Sequence, residues 1–470
     1  MKNFTAKFLS FALLATIALN SQAQVYLDVE PDPVPLFDLT VVIPQGTLSK
    51  DSKTSVNFAI LQAMLEAGTL QLKREEFLDA LAEFGAQLSV SMAGQYSTWS
   101  LRFPYQNNKD YSKLVALLQQ NWDSPRLNQE EFNRYKVMGL NNMKSSLNAD
   151  SQLVSGTGRR WILKKALGLS PVFEDTFKLA SLKEVKSLYS RFKDQKQLWA
   201  GFVGPDSLKP MVKDIISKVF KLTDFREEKY LKVLPTLSPA GIASAPVEKT
   251  LLIISKPGRT QNVIALLAIS AEKLTPSREL DFLIGDHVAV SGGLGSVYGE
   301  ALRTKGGFSY SVASTGSTNF AGYPMLGFFS NPMSSKQTAA MDAIEGLINK
   351  TFKAGGLFEE LSSHDWNTRI ASFRYEKVFS QMTPDSRLSE RQAVVVGSSS
   401  PELYHSDPLN WNATAKDVQA YYKKHWQNSH IVMSVLGDPE ELKKVAAKNF
   451  PDFKVKVIPY TETISSRSFD

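Results

Sequence analysis

The chain has 470 residues, more than one hydrophobic core ordinarily supports, so two or more domains are expected. Hydrophobic residues make up 43% and charged residues 21%, which places the chain among globular proteins and excludes disordered and collagen-like classes. Its formal charge of +7 comes from scattered lysines, as in SLKPMVKDIISKVFKL, where they alternate with apolar positions; that is a solvated helix face, and no nucleic-acid partner is expected.

Residues 1–23 read as a cleaved secretory signal. Lys2 and Lys7 flank the start of an apolar run from Phe8 to Leu19, and Ser21-Gln22-Ala23 puts small residues at the two positions a signal peptidase reads. The run is about twelve residues, short of the ~20 that a spanning helix needs. No other stretch comes near that length, so no membrane span is expected in the mature chain. There is no cysteine, which excludes disulfides, a thiolate metal site and a cysteine nucleophile, and leaves no acceptor for a lipid. An exported protein of this size without disulfides points to a bacterial periplasm.

The first strong helix signal is NFAILQAMLEAGT. Phe58, Leu61, Met64 and Leu65 recur at helical spacing, and Gly68 sits where a C-terminal cap belongs. On a second face, Ala59 and Ala63 lie four apart with Gln62 between them. In many zinc hydrolases that triangle holds two histidines and a carboxylate; on these residues alone, the simpler reading is small side chains for close helix packing. AQLSVSMAGQYSTWSLRFP then alternates as a β-hairpin around Ala93-Gly94, followed by a helical pattern in KLVALLQQNW. The later stretch FSYSVASTGSTNFAGYPMLGFFS repeats the hairpin plan with a longer connection, and AAMDAIEGLINKTF is again helical.

An internal repeat links the two halves. LKEVKSLYSRF, residues 182–192, and AKDVQAYYKKH, residues 415–425, align without gaps, and the same offset carries Gly204 onto Gly437. Each copy reads as a helix, a strand and a turn opening another helix. Between them a stretch rich in Pro, Ala and Ser forms a linker, placed at residues 236–248. The expected architecture is α+β: two homologous domains, 24–235 and 249–470, each an antiparallel sheet flanked by helices and joined by a hinge linker.

Familiar catalytic patterns are missing. The five histidines, His287, His364, His405, His425 and His430, include no pair at i, i+4 spacing, and there is no GxSxG elbow and no Walker loop. SGGLGSVYGE has closely spaced glycines without a nucleotide-binding context and reads as a tight packing turn. Next to it, Arg303 closes a helical run and Tyr310 begins a strand, with Gly306-Gly307 letting the chain reverse sharply between them. A turn this tight can point both side chains into one cleft, where a fork of donors and a hydroxyl suit peptide carbonyls or a carboxylate. The alternative is a surface arginine beside a half-buried strand tyrosine.

At these residues the chain resembles the pitrilysin or insulinase-type (M16) zinc peptidases, which include mitochondrial processing peptidase and its bacterial heterodimeric relatives. AILQAMLEAGT resembles the family's helix H-x-x-E-H-M-L-x-x-G-T, and GGLGSVYGEALRTKGGFSYSV resembles its second-half stretch with an arginine and a tyrosine at this spacing. The resemblance implies that Ala59 and Ala63 stand where the zinc histidines would be and Gln62 where the general base would be. The third ligand, a glutamate, would fall near Leu140, in a neighbourhood, VMGLNNMKSSL, with no acid. It further implies that Arg303 and Tyr310 hold substrate, that this chain carries no metal or other cofactor and is inactive by itself, and that zinc resides in an HxxEH-containing M16 partner. The implied role is that of the non-catalytic, peptide-binding subunit of a periplasmic heterodimeric peptidase; the alternative is a stand-alone peptide-binding or assembly protein.

Overall fold

In the computed structural model, which describes residues 24–470 apart from 48, 95, 196, 228–246, 257, 259–261, 316–322 and 353, the chain forms two six-stranded sheets. Residues 1–23, read as a signal, and most of the linker lie outside the described residues. The first sheet is built from β1 (Gln24–Pro31), β2 (Leu36–Ile43), β3 (Gln87–Ala93), β4 (Tyr96–Pro104), β5 (Gln197–Gly204) and β6 (Phe225–Glu227), in the order β3-β4-β2-β5-β1-β6. The second uses β7 (Lys249–Ser255), β8 (Val263–Ser270), β9 (Ser309–Ser314), β10 (Met325–Pro332), β11 (Ser429–Gly437) and β12 (Lys454–Pro459), in the order β12-β7-β11-β8-β10-β9. Strand for strand these orders are the same, so the duplication seen in 182–192 and 415–425 extends through the whole of both sheets.

The α+β architecture expected from the sequence is present, with one difference in the sheets. Both hairpins, β3–β4 and β9–β10, are antiparallel as expected. Each sheet also has a parallel side: β1 runs parallel to β5 and β6, and β7 to β11 and β12. The helices Lys209–Phe220 and Pro439–Asn449 cross over from β5 to β6 and from β11 to β12, strands that flank β1 and β7 respectively. The sheets are therefore mixed.

Strand sequence explains how the second sheet is covered. In LLII of β7 and VIALLAI of β8 every residue is apolar, the pattern of a strand buried on both faces. Side chains alternate along each strand: Leu251, Ile253, Ile264 and Leu266 enter one apolar cluster with helices Pro276–Asp286, Gln337–Phe352 and Ala415–Gln427. Leu252, Leu267, Ile269 and Val432 point the other way, against Trp161 and Ile162 of the helix Asp150–Lys165. Gly158 allows that approach, since a Cβ there would lie 2.9 Å from the Ser434 hydroxyl. Lys256 fastens the start of the same helix, donating to the Leu147 carbonyl (2.6 Å) and the Asp150 carboxylate (2.9 Å). The chain accordingly divides into two compact units. Of the described residues, one comprises 24–46, Leu61–Phe132 and 182–227, and the other Thr47–Ile60, Asn133–Ser181 and 247–470.

Candidate functional site

The helix read from NFAILQAMLEAGT spans Ser52–Leu65. Asp51 starts it, its carboxylate accepting from the N–H groups of Lys53 (3.1 Å) and Thr54 (2.9 Å), where negative charge also meets the positive end of the helix. Beyond the last turn Gly68 adopts φ +103°, and Asn121 donates to the carbonyls of Leu65 (3.2 Å) and Gly68 (2.9 Å), closing the end. Phe58, Leu61, Met64 and Leu65 are buried, which leaves Ala59, Gln62, Ala63 and Glu66 along a half-buried face.

On that face the polar groups already have work. Gln62 Oε1 accepts from the N–H of Met92 (3.0 Å), and Glu66 Oε1 accepts from the N–H of Val90 (2.9 Å). Both belong to β3, an edge strand whose outward N–H groups would otherwise lack partners. Ala59 and Ala63 present methyl groups, and Leu140, half-buried on the helix Gln129–Ser145, presents another apolar side chain. Zinc requires imidazole, thiolate or carboxylate donors, so these positions do not fit the metal. Among the described residues no group of three or more His, Cys, Asp or Glu side chains is arranged to hold a metal ion.

Arg303 and Tyr310 are brought together. Ser296 caps a short helix by accepting from the N–H of Gly299 (3.0 Å), and Gly299 packs so closely that a Cβ would lie 2.3 Å from the Gly293 carbonyl, which accounts for the last glycine of SGGLGSVYGE. Tyr298 and Leu302, one turn apart, are buried and fix the inner side of the helical segment that carries Arg303. At its end Phe308 N–H bonds to the Leu302 carbonyl (2.9 Å) and Gly307 N–H to that of Arg303 (3.1 Å), with Gly307 at φ +58°, a left-handed conformation that glycine adopts without penalty. The chain then enters β9, which forms the free edge of its sheet.

A β-bulge aims the tyrosine. Ser309 pairs with Pro332 and Val312 with Ser330, so Tyr310 and Ser311 stand opposite Asn331 alone. The Ser309 hydroxyl holds this irregularity, donating to the Ser311 carbonyl (2.8 Å) and accepting from the Asn331 N–H (2.9 Å). Tyr310 is left 78% exposed, and the Arg303 guanidinium carbon lies 4.9 Å from its ring centre, a cation–π stack. The pair forms an outward-facing platform rather than lining an enclosed cleft. Nothing in the local sequence signals the bulge, because the hydrogen bonds that hold it come partly from β10.

A second polar group lies near β9. Asp286 and His287 sit in an otherwise apolar run, IGDHVAVS, and both are buried. Burial pushes the Asp286 carboxyl up to about 6, against hydrogen bonds from Ser291 and Ser314 that favour its charged form. His287 Nδ1 lies 3.3 Å from a Glu376 oxygen, yet burial outweighs that carboxylate and holds the imidazole below its ordinary value. His425 is also buried and pushed down to about 3, His430 is buried at the start of β11, and His364 and His405 are exposed.

Asp286 sets a pH dependence of stability. Its folded value lies above the unfolded one, so the folded protein binds the proton more tightly, and stability is lost as pH rises from about 4 through about 6. Asp286→Asn keeps an acceptor for Ser291 and Ser314 and removes the buried charge. It should stabilise the protein by up to roughly 3 kcal/mol at pH 8 and leave it nearly unchanged at pH 3.5, by the scale of 1.36 kcal/mol per unit. Thermal melts of both proteins at the two pH values check this.

Residues 412–467 match the family model described as "Peptidase M16 inactive domain". No curated protein sequence matches the chain. Among solved structures it is similar to a peptidase M16 inactive domain from Pseudomonas fluorescens, with 15% identity, 89% of this chain and 96% of that one covered and a TM-score of 0.67. A protease from Helicobacter pylori gives 14% identity, 87% and 96% coverage and a TM-score of 0.68. The periplasmic protease PqqL from Escherichia coli gives 13% identity and a TM-score of 0.62, with 94% of this chain and 48% of PqqL covered, so this chain spans about half the length of that protein. Among the described residues no helix is long and apolar enough to cross a membrane.

Proposed function

We propose that this chain, a member of the M16 peptidase family, is the non-catalytic, substrate-holding subunit of a periplasmic two-chain zinc peptidase. The observation that carries the reading is a contrast within one molecule. The helix where the family keeps its metal donors offers methyl groups and an amide that is bonded to β3, whereas Arg303 and Tyr310 stand stacked and unencumbered at a sheet edge. Arg303 would hold a carbonyl or carboxylate of the bound peptide, and the Tyr310 hydroxyl would donate to the peptide backbone. The metal and its base would belong to an HxxEH-bearing partner. PqqL, a fold relative, is a periplasmic protease, which supports the compartment read from residues 1–23.

The purified mature chain should bind no stoichiometric zinc and cleave no peptide by itself. Elemental analysis and fluorogenic-peptide hydrolysis test this; about one zinc per chain with chelator-sensitive cleavage, in a preparation free of any other chain, would sink the proposal. Co-purification from the native host, followed by mass spectrometry, should recover an HxxEH-bearing M16 chain. Recovery of the chain alone, with peptide affinity intact, would favour the stand-alone peptide-binding protein.

A further inference from the structure

The charge around the Arg303–Tyr310 platform is not balanced. Arg303 is half-buried and forms no ion pair with any described residue; its partner is the neutral ring of Tyr310. Lys336 donates to the Gly307 carbonyl (2.7 Å), again a neutral acceptor. Glu300, the carboxylate of this turn, is already shared between Lys305 (3.0 Å) and Arg369 (3.0 Å). Arg303 and Lys336 are thus the cations of this turn without a carboxylate partner among the described residues.

Geometry leaves the surplus accessible. Gly307 joins the two residues, its N–H bonding to the Arg303 carbonyl (3.1 Å) and its own carbonyl accepting from Lys336 (2.7 Å), and a Cβ there would come 3.7 Å from the Lys336 ammonium. A half-buried guanidinium normally has an acidic partner, because removing the charge from water without one is costly. No described residue accepts a hydrogen bond from the Arg303 fork beside the Tyr310 ring, and such a fork can make two parallel hydrogen bonds to a planar acid.

We propose that Arg303 and Lys336, set around the Gly306-Gly307 turn beside the Tyr310 ring, form a carboxylate subsite, so that the peptides held here are those presenting an Asp or Glu side chain or a free C-terminus at this point. The inference rests on the peptide-holding role proposed above. It assigns the charge that the bound peptide must carry and adds Lys336 to the residues that select it.

Four rhodamine-labelled peptides of one neutral sequence test it with the full mature chain by fluorescence anisotropy: a free C-terminal acid, the C-terminal amide, and the amide with one central Glu or with Gln in its place. At least one carboxylate form should bind about tenfold or more tighter than its neutral counterpart, the range for a charge-assisted bond. Whichever pair differs identifies the source of the carboxylate. The preference should shrink in 0.5 M salt. Arg303→Gln and Lys336→Gln should each reduce this preference to about threefold or less. Lys305→Gln, whose charge Glu300 already neutralises, should leave it in place, which separates a local subsite from the general positive charge of the chain. Equal binding of all four peptides would overturn the subsite and leave the peptide-holding role standing. No binding of any of them at 1 mM would overturn both.

Discussion

Arg303→Ala is expected to lower kcat/KM of the reconstituted two-chain peptidase at least tenfold, and Tyr310→Phe by a similar factor, while assembly and the partner's zinc content stay unchanged. A hydrogen bond to a charged group contributes about 1.5 to 3 kcal/mol, and 1.4 kcal/mol is one decade in rate. Tyr310→Phe keeps the ring under the guanidinium and removes the hydroxyl alone, so its effect reports the donor. If that donor faces a developing oxyanion, the loss rises to roughly 10²- to 10³-fold. Arg303→Lys keeps the charge but loses the fork and the stack, and should recover only part of the activity. Neither change reaches the core, because Tyr310 is exposed and Arg303 is only half-buried, whereas the helical segment that carries Arg303 is anchored by the buried Tyr298 and Leu302. Steady-state kinetics on assembled pairs decide the matter. If both variants assemble and cleave at the wild-type rate, the assembly-protein reading should replace the one proposed here.

What could be read from the sequence and what could not have separate physical origins. The helix at Ser52–Leu65 and the hairpin β3–β4 were legible because their apolar periodicities, near 3.6 and 2, are local. The Arg303–Tyr310 pair was legible because two adjacent glycines mark a reversal between a helical and a strand pattern. The parallel pairing of β7 with β11 was not, since uniformly apolar strands such as β7 and β8 state that both faces are buried but not which neighbour lies on either side. The helix Asp150–Lys165 shows an apolar stripe at Leu153, Val154, Thr157, Gly158, Trp161 and Ile162, yet nothing in that stripe names β8 and β11 as its support. Gln62 illustrates the same limit for the site. Its place on the helix could be read from spacing, but its bond to Met92 depends on β3 lying beside it at the sheet edge.

Gly285→Ala should be the most damaging small substitution outside the platform. The added methyl would lie 2.2 Å from Cε2 of Tyr422 and 2.9 Å from its hydroxyl oxygen. Tyr422 has nowhere to go. It is 2% exposed, its ring centre is 5.0 Å from that of Phe358, and its hydroxyl donates to the Phe282 carbonyl (3.0 Å) one turn before Gly285. Either the helices Pro276–Asp286 and Ala415–Gln427 separate or the ring gives up that bond. Overpacking costs ~1 to 3 kcal/mol and an orphaned buried polar group ~1 to 3 more, against ~1 regained by replacing a helical glycine. The net loss of roughly 1 to 5 kcal/mol is a large share of the ~5 to 15 that stabilise a domain. Melting temperature should fall by roughly 2 to 20 °C, at about 2 to 4 °C per kcal/mol for a unit of this size. Adding Tyr422→Ala removes the obstruction, so the double variant should be less destabilised than the sum of the single ones, a coupling expected only if these two side chains meet. Because the helix of Gly285 leads directly into Asp286 and on to the segment carrying Arg303, Gly285→Ala should also weaken peptide binding, whereas Arg303→Ala should weaken binding without moving the melt. A wild-type melting temperature for Gly285→Ala would show that the two helices do not approach as closely as a Cβ-free residue allows.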